Sequence, residues 1–229
     1  MAMPEYTVLL GSQADKDLAR ETLRVTKEVR ILLGQHVLYK RLTRNKEFGE
    51  SCDASVAKEG VAIVVGAVLR TIVTSAAAIF DKDGRTSNIP KLAKQATSTD
   101  RVEFLRKLHS ANGGFSGFQD SYDRLVNYRR RARSGKLQEA IARLEHVRST
   151  TVAHFDANPR DAPGGKRAIG RDVDYVVAAG MVIAGEANKF ILAREVDYPA
   201  LRKLLRSDAE GFCSTLMAGF AASLPRAKA

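Results

Sequence analysis

Residues 15–44 read DKDLARETLRVTKEVRILLGQHVLYKRLTR. Leu18, Val25, Val29, Leu32, Leu33, Leu38 and Leu42 recur at the spacing that lines one side of an α-helix, with Lys, Arg, Glu and Thr filling the turns between them. Nothing in the stretch alternates as a half-buried strand would. It predicts one long amphipathic helix over 15–44, with Gly34 as its weak point. Such a helix cannot stand alone in water: its apolar stripe has to be covered by other helices.

The rest of the chain supplies them. Gly49-Glu50-Ser51 predicts a break, after which Ser51 or Asp53 caps a second helix running to about residue 82. That helix is apolar nearly all round through 61–69, then again at Ile72, Val73 and 76–80, a pattern that belongs at the centre of a bundle or at a subunit interface. Asp83-Gly84 ends it. Ser87-Asn88 opens a short helix with Pro90 in its first turn, and Thr99 or Asp100 caps another to about 108. A moderately amphipathic helix is expected over 118–133. Beyond Ser134-Gly135, residues 137–153 carry a clean stripe of Leu137, Ala140, Ile141, Leu144, Val147 and Thr151. The segment 158–170, with two Pro and three Gly, predicts an exposed loop. Asp172 then caps a helix to about 193, and a last helix covers 199–224. Residues 1–10 are the only candidate strand. The expectation is an all-α, up-and-down helical bundle of four to five main helices plus short ones. It forms a single domain over 1–229, with its core in about 15–194 and an extra C-terminal helix over 199–224.

The 229 residues are 45% apolar and 28% charged, enough to build a sizeable core. Thirty-seven Lys and Arg against 26 Asp and Glu give a net charge of +11, which concentrates polyanions around the protein. The two cysteines, Cys52 and Cys213, lie far apart and in no metal-ligand spacing, as suits a reducing compartment rather than a disulfide framework. No basic segment leads into an apolar core at the N-terminus, and the run 61–69 is short for a bilayer span. A cytoplasmic protein without membrane contact is expected.

Four His are present, His36, His109, His146 and His154, with no zinc-ligand spacing among them. Asn112-Gly113-Gly114 and Pro163-Gly164-Gly165-Lys166 lack the flanks of phosphate-binding loops and read as turns. No metal and no cofactor is called for. The densest charge run is Arg129, Arg130, Arg131 and Arg133, followed by Lys136. It reads equally well as a solvated helix end, favoured by the helix dipole, and as a phosphate-contacting patch whose neighbours Tyr122 and Tyr128 stack on unpaired bases.

The most pointed constellation is RSTTVAHFD, from Arg148 to Asp156, where an amphipathic helix runs into the loop. Arg148 and His154 lie about 9 Å apart along a helix axis and roughly 120° around it, so the long Arg side chain has to lean to meet the His. Ser149, Thr150, Thr151 and Asp156 are the supporting polar groups. An Arg and a His together can cleave RNA without metal, the His moving the proton and the guanidinium holding the charged phosphorane. Both also serve as ordinary caps for helix-end carbonyls. A helix C-terminus with Asp156 nearby favours the imidazolium.

Arg148-x5-His154 at the end of a long helix resembles the Arg-x(4–6)-His motif of the HEPN superfamily (higher eukaryotes and prokaryotes nucleotide-binding). Ala153-His154-x-Asp156 is similar to the AbiU-type, abortive-infection branch. So is the apolar helix leading into Phe80-Asp81 and then Ser87-Asn88-Ile89-Pro90-Lys91-Leu92. The resemblance implies a helical bundle that dimerises so that both motifs meet, with Arg148 and His154 as the active pair. It implies a metal-independent endoribonuclease in phage defence or a toxin role, acting on single-stranded RNA as a homodimer, with a cognate antitoxin as a further partner. Active members often carry Asn, Asp or His where Ser149 stands. The Tyr that is modified in some silenced toxins is Asp156 here, so no nucleotidyl modification is expected at that position. The alternative is a HEPN-like dimer that binds RNA or a nucleotide without cutting it. A third reading is an assembly subunit of a toxin–antitoxin pair.

Overall fold

The computed structural model describes residues 12–81, 88–111, 116–153 and 165–223, with the backbone alone for 150–153, 165–168 and 223. Every regular element among them is an α-helix, so the all-α expectation holds. The order is α1 (Gln13–Arg44), α2 (Lys46–Asp53), α3 (Lys58–Phe80), α4 (Ile89–Ala96), α5 (Thr99–Ala111), α6 (Phe118–Arg131), α7 (Lys136–Ala153), α8 (Gly165–Leu192) and α9 (Tyr198–Ser223). The candidate strand at 1–10 lies outside the described residues.

These helices resolve into two compact units. One comprises Met1–Ile31 with Val73–Val196, the other Leu32–Ile72 with Asp197–Ala229. In the first unit α8 is the central helix, with α4, α6 and α7 packed against it. Val173, Val176, Val177, Ile183, Ala184, Ala187, Phe190 and Ile191 are buried along it. Each large apolar side chain so covered contributes about 1.5–3 kcal/mol. At Gly180 neighbouring side chains lie close to the α8 backbone: a Cβ there would come within 3.7 Å of Val29, 3.8 Å of Ile89 and 3.9 Å of Phe80. The buried polar groups of α8 are answered. Glu186 accepts from Ser121 Oγ at 2.8 Å and from Arg124 Nη1 at 3.0 Å. The Asn188 amide donates to Thr26 Oγ1 and to the Ala184 carbonyl. In the second unit α2 packs on α9, and Leu42, Phe48, Cys52, Cys213 and Phe220 form the core, with the rings of Phe48 and Phe220 5.9 Å apart.

Several boundaries differ from expectation for identifiable reasons. Gly49-Glu50-Ser51 is not a break but lies within α2, because Asn45 supplies the cap: its Oδ1 accepts from the Phe48 amide at 3.2 Å. A short helix, α2, therefore fills the expected break, and the expected second helix starts later, as α3 at Lys58. Asp172 does not cap α8. The helix begins seven residues earlier, at Gly165, so residues 165–170 of the expected loop are helical. The Asp172 carboxylate is bound instead by Arg143 of α7, with Nε and Nη2 each at 2.8 Å. The expected caps at Asn88 and the turn at Gly135 are present: Asn88 Oδ1 accepts from the Lys91 amide at 2.8 Å, and Gly135 takes a φ of 74°.

The first half of α3 is unusual. From residue 58 to 71 it contains no buried side chain, and Ile63 and Val64 are 68% and 48% exposed. By length and composition α3 and the stretch Ile169–Leu192 could each cross a bilayer. The α8 stretch is two-thirds buried, as a core helix is, whereas only a third of the α3 stretch is.

Candidate nucleic-acid interface

The basic run is divided by its own helix. Three of its members are engaged: Arg129 donates to Thr97 Oγ1 at 3.1 Å, Arg130 to Asn127 Oδ1 at 3.1 Å, and Arg131 to Tyr175 Oη at 2.9 Å. Arg131 also lies over the Tyr128 ring, 5.6 Å from its centre. Arg129 and Arg133 share a wall of a cleft, of about 320 Å³, with Lys91 and Lys94 of α4. The cleft floor is Phe80, Ile89, Pro90, Ala93, Ala132, Ile141 and Ile183, with Tyr128 and Gln138 at its sides. Among the described residues no carboxylate lines it. Gln138 Oε1 is buried and receives no hydrogen bond from the described residues. An apolar floor under four cations suits an anion with a flat apolar part, since the floor supplies little water to screen the charges.

Tyr122 is half-buried. It is packed against Phe190, with ring centres 5.9 Å apart. Tyr128 borders the cleft, with Arg131 over its ring. Arg130 and Arg131 are outside the cleft lining, and Lys136 is exposed at the start of α7. Lys91 and Lys94 were not singled out in the sequence. They follow the Asn88 cap at a spacing of three, but only the docking of α4 beside α6 turns them toward the same cleft as Arg129 and Arg133.

Arg148 lies on α7 a heptad beyond Ile141, about 10 Å along the helix and on nearly the same face as that cleft wall. Its Nη1 is 3.4 Å from Asp81 Oδ2, and Asp81 directly follows Phe80 of the cleft floor. The guanidinium is 40% exposed. Ser149 Oγ donates to the His146 carbonyl at 2.8 Å. His154 and Asp156 lie outside the described residues, as do the side chains of Thr150 and Thr151. Of the remaining histidines, His109 is buried, with Nε2 2.8 Å from the Phe190 carbonyl, a bond it makes as donor. Burial lowers its proton affinity, and that hydrogen bond partly restores it. Among the described residues no three His, Cys, Asp or Glu side chains converge as metal ligands.

No family profile, no curated protein and no solved structure matches this chain.

Proposed function

We propose that the chain is an RNA-binding protein of HEPN type, working as a homodimer, in which Arg148 and His154 cleave single-stranded RNA without metal in a phage-defence or toxin role. The observation that carries the reading is the cleft of Lys91, Lys94, Arg129 and Arg133, with no carboxylate among its described lining residues, on the face of α7 that leads to Arg148. Backbone phosphates would lie along the cations, with a base against Tyr128 and the apolar floor. At the scissile step the ribose 2′-hydroxyl attacks the adjacent phosphorus as His154 takes its proton. The bond to the 5′-oxygen breaks as the imidazolium so formed returns the proton to that oxygen, leaving a 2′,3′-cyclic phosphate and a 5′-hydroxyl. Arg148 would hold the phosphorane charge, exchanging its half-exposed, 3.4 Å contact with Asp81 for a stronger one with phosphate. The exposed apolar face of α3 supports the dimer.

A second reading, RNA binding without cleavage, is favoured by Ser149. Its hydroxyl is spent on the carbonyl of its own helix, where active relatives carry a stronger hydrogen-bonding group. Labelled single-stranded RNA in excess chelator, with wild type and His154→Ala, separates the two. Cleavage by wild type alone, with cyclic-phosphate ends and a loss of roughly 10²–10⁴-fold in the variant, supports the enzyme. Binding by both without cleavage supports the binder, and no binding by either removes the RNA reading. Light scattering tests the dimer: a mass of 25.0 kDa at all working concentrations would exclude it.

A further inference from the structure

A second cavity lies in the other unit, between the C-terminal part of α1 and α9, with a volume of about 340 Å³. Lys40 and Arg41 enter it from α1, Arg202 and Arg206 from α9, and Glu210 is the only carboxylate among the described residues of its lining. His36 is buried in its wall, one turn before Lys40. Arg202, Arg206 and Glu210 follow one another at a spacing of four, so they share one face of α9. With the imidazole neutral, four cations and one carboxylate leave a net charge of +3 around the groove. Arg41 reaches Glu210 only at 3.7 Å, and its Nε is buried with no acceptor.

We infer that this groove binds a compact, multiply charged phosphate compound, such as a di- or triphosphate group. Cations that converge from two helices into a small volume repel one another, and an anion of several charges placed among them turns that repulsion into attraction. The volume is at the small end for ligand cavities. Unlike the cleft of the first unit, the groove has no Phe, Tyr or Trp ring among its described residues, with Val37 and Ala209 as its apolar wall, so it provides for phosphate groups rather than for a base. Glu210 at the edge opposes an extended phosphate backbone running through. Arg41 Nε supplies a donor that a phosphate oxygen would answer. The inference is independent of the RNA reading.

Titration calorimetry on the full chain with inorganic triphosphate tests it, with sulfate at matched ionic strength as the reference. The expected result is saturable triphosphate binding, at least about tenfold tighter than sulfate. It falls by about tenfold or more in Arg202→Gln/Arg206→Gln and by much less in Lys94→Gln/Arg133→Gln. Far-UV circular dichroism confirms that both double variants keep their helix content. Triphosphate binding no better than sulfate, or undiminished in Arg202→Gln/Arg206→Gln, overturns the inference. So does single-stranded RNA binding that falls equally in the two double variants, since the groove would then belong to an RNA path.

Discussion

The guanidinium of Arg148 stands 3.4 Å from the carboxylate of Asp81, joining the first residue of the candidate motif to the residue that follows α3. Both side chains are partly exposed, at 40% and 34%, so the pair is screened and worth little to stability. It nevertheless competes with any phosphate for the same guanidinium. Asp81→Asn should therefore raise affinity for single-stranded RNA by roughly two- to fivefold while changing unfolding free energy by less than about 1 kcal/mol. Filter binding and urea titration check the two parts. A loss of RNA affinity in Asp81→Asn would show that Asp81 does not restrain Arg148 in this way.

The cleft cations should differ from the rest of the basic run. Lys94→Gln and Arg133→Gln should each reduce the slope of log affinity against log salt by about one unit. Arg130→Gln should leave it unchanged, because Arg130 lies outside the cleft and is bonded to Asn127. RNA binding measured over a salt series reads both slopes, and equal effects at all three positions would place the contacts on a diffuse surface instead.

Arg143 and Asp172 clamp α7 to α8 through two bonds of 2.8 Å, and the Asp172 side chain is only 9% exposed. Arg143→Leu would leave that carboxylate covered and unanswered. Breaking a buried pair costs roughly 3–5 kcal/mol, but Arg143 is 38% exposed, so about 2 kcal/mol is expected. Arg143→Lys keeps the charge but not the two-pronged geometry and should fall between. Urea midpoints at constant m-value measure this, and a change within 0.5 kcal/mol, roughly the scatter of surface substitutions, would contradict it.

His109 predicts a pH dependence. Burial holds its proton affinity below the ordinary value of 6.5, so near neutrality the unfolded chain binds more protons there than the native one. The His109 contribution is complete above pH 6.5 and is lost as pH falls from there toward the lowered native value. His109→Gln retains a donor for the Phe190 carbonyl and should flatten the stability curve between about pH 7 and 5. A curve of unchanged slope in the variant would assign the pH dependence to other groups.

The helices were legible because their apolar residues repeat at the right interval, and α1, α7 and α9 lie close to where that interval puts them. The errors arose where a local signal had a competitor. Asn45 outranked Gly49-Glu50-Ser51 as punctuation, and Asp172, a good cap by residue type, was claimed by Arg143. The site was only partly legible. A charge run shows in a sequence, but which of its members share a cleft depends on the angle at which α6, α4 and α7 meet. For that reason Arg129 and Arg133 were found together with Arg130 and Arg131, while Lys91, Lys94 and Asp81 were missed. Tyr122 and Tyr128 look alike in the sequence, and only the fold sets the one against Phe190 and the other beside the cleft.

Neither unit is encoded by one continuous stretch of chain. Residues 32–72 leave the ribosome early, but α9, which brings Cys213 and Phe220 to their core, lies more than a hundred residues later. At ordinary rates of synthesis, about 5–20 residues per second, Leu42, Phe48 and Cys52 wait several seconds for the helix that covers them. Throughout that interval the apolar half of α3 is also uncovered. Production of this protein should therefore depend on chaperone capacity and on an intact C-terminus. Chains cut short before α9 should be found in the insoluble fraction even when every residue of the first unit has been made.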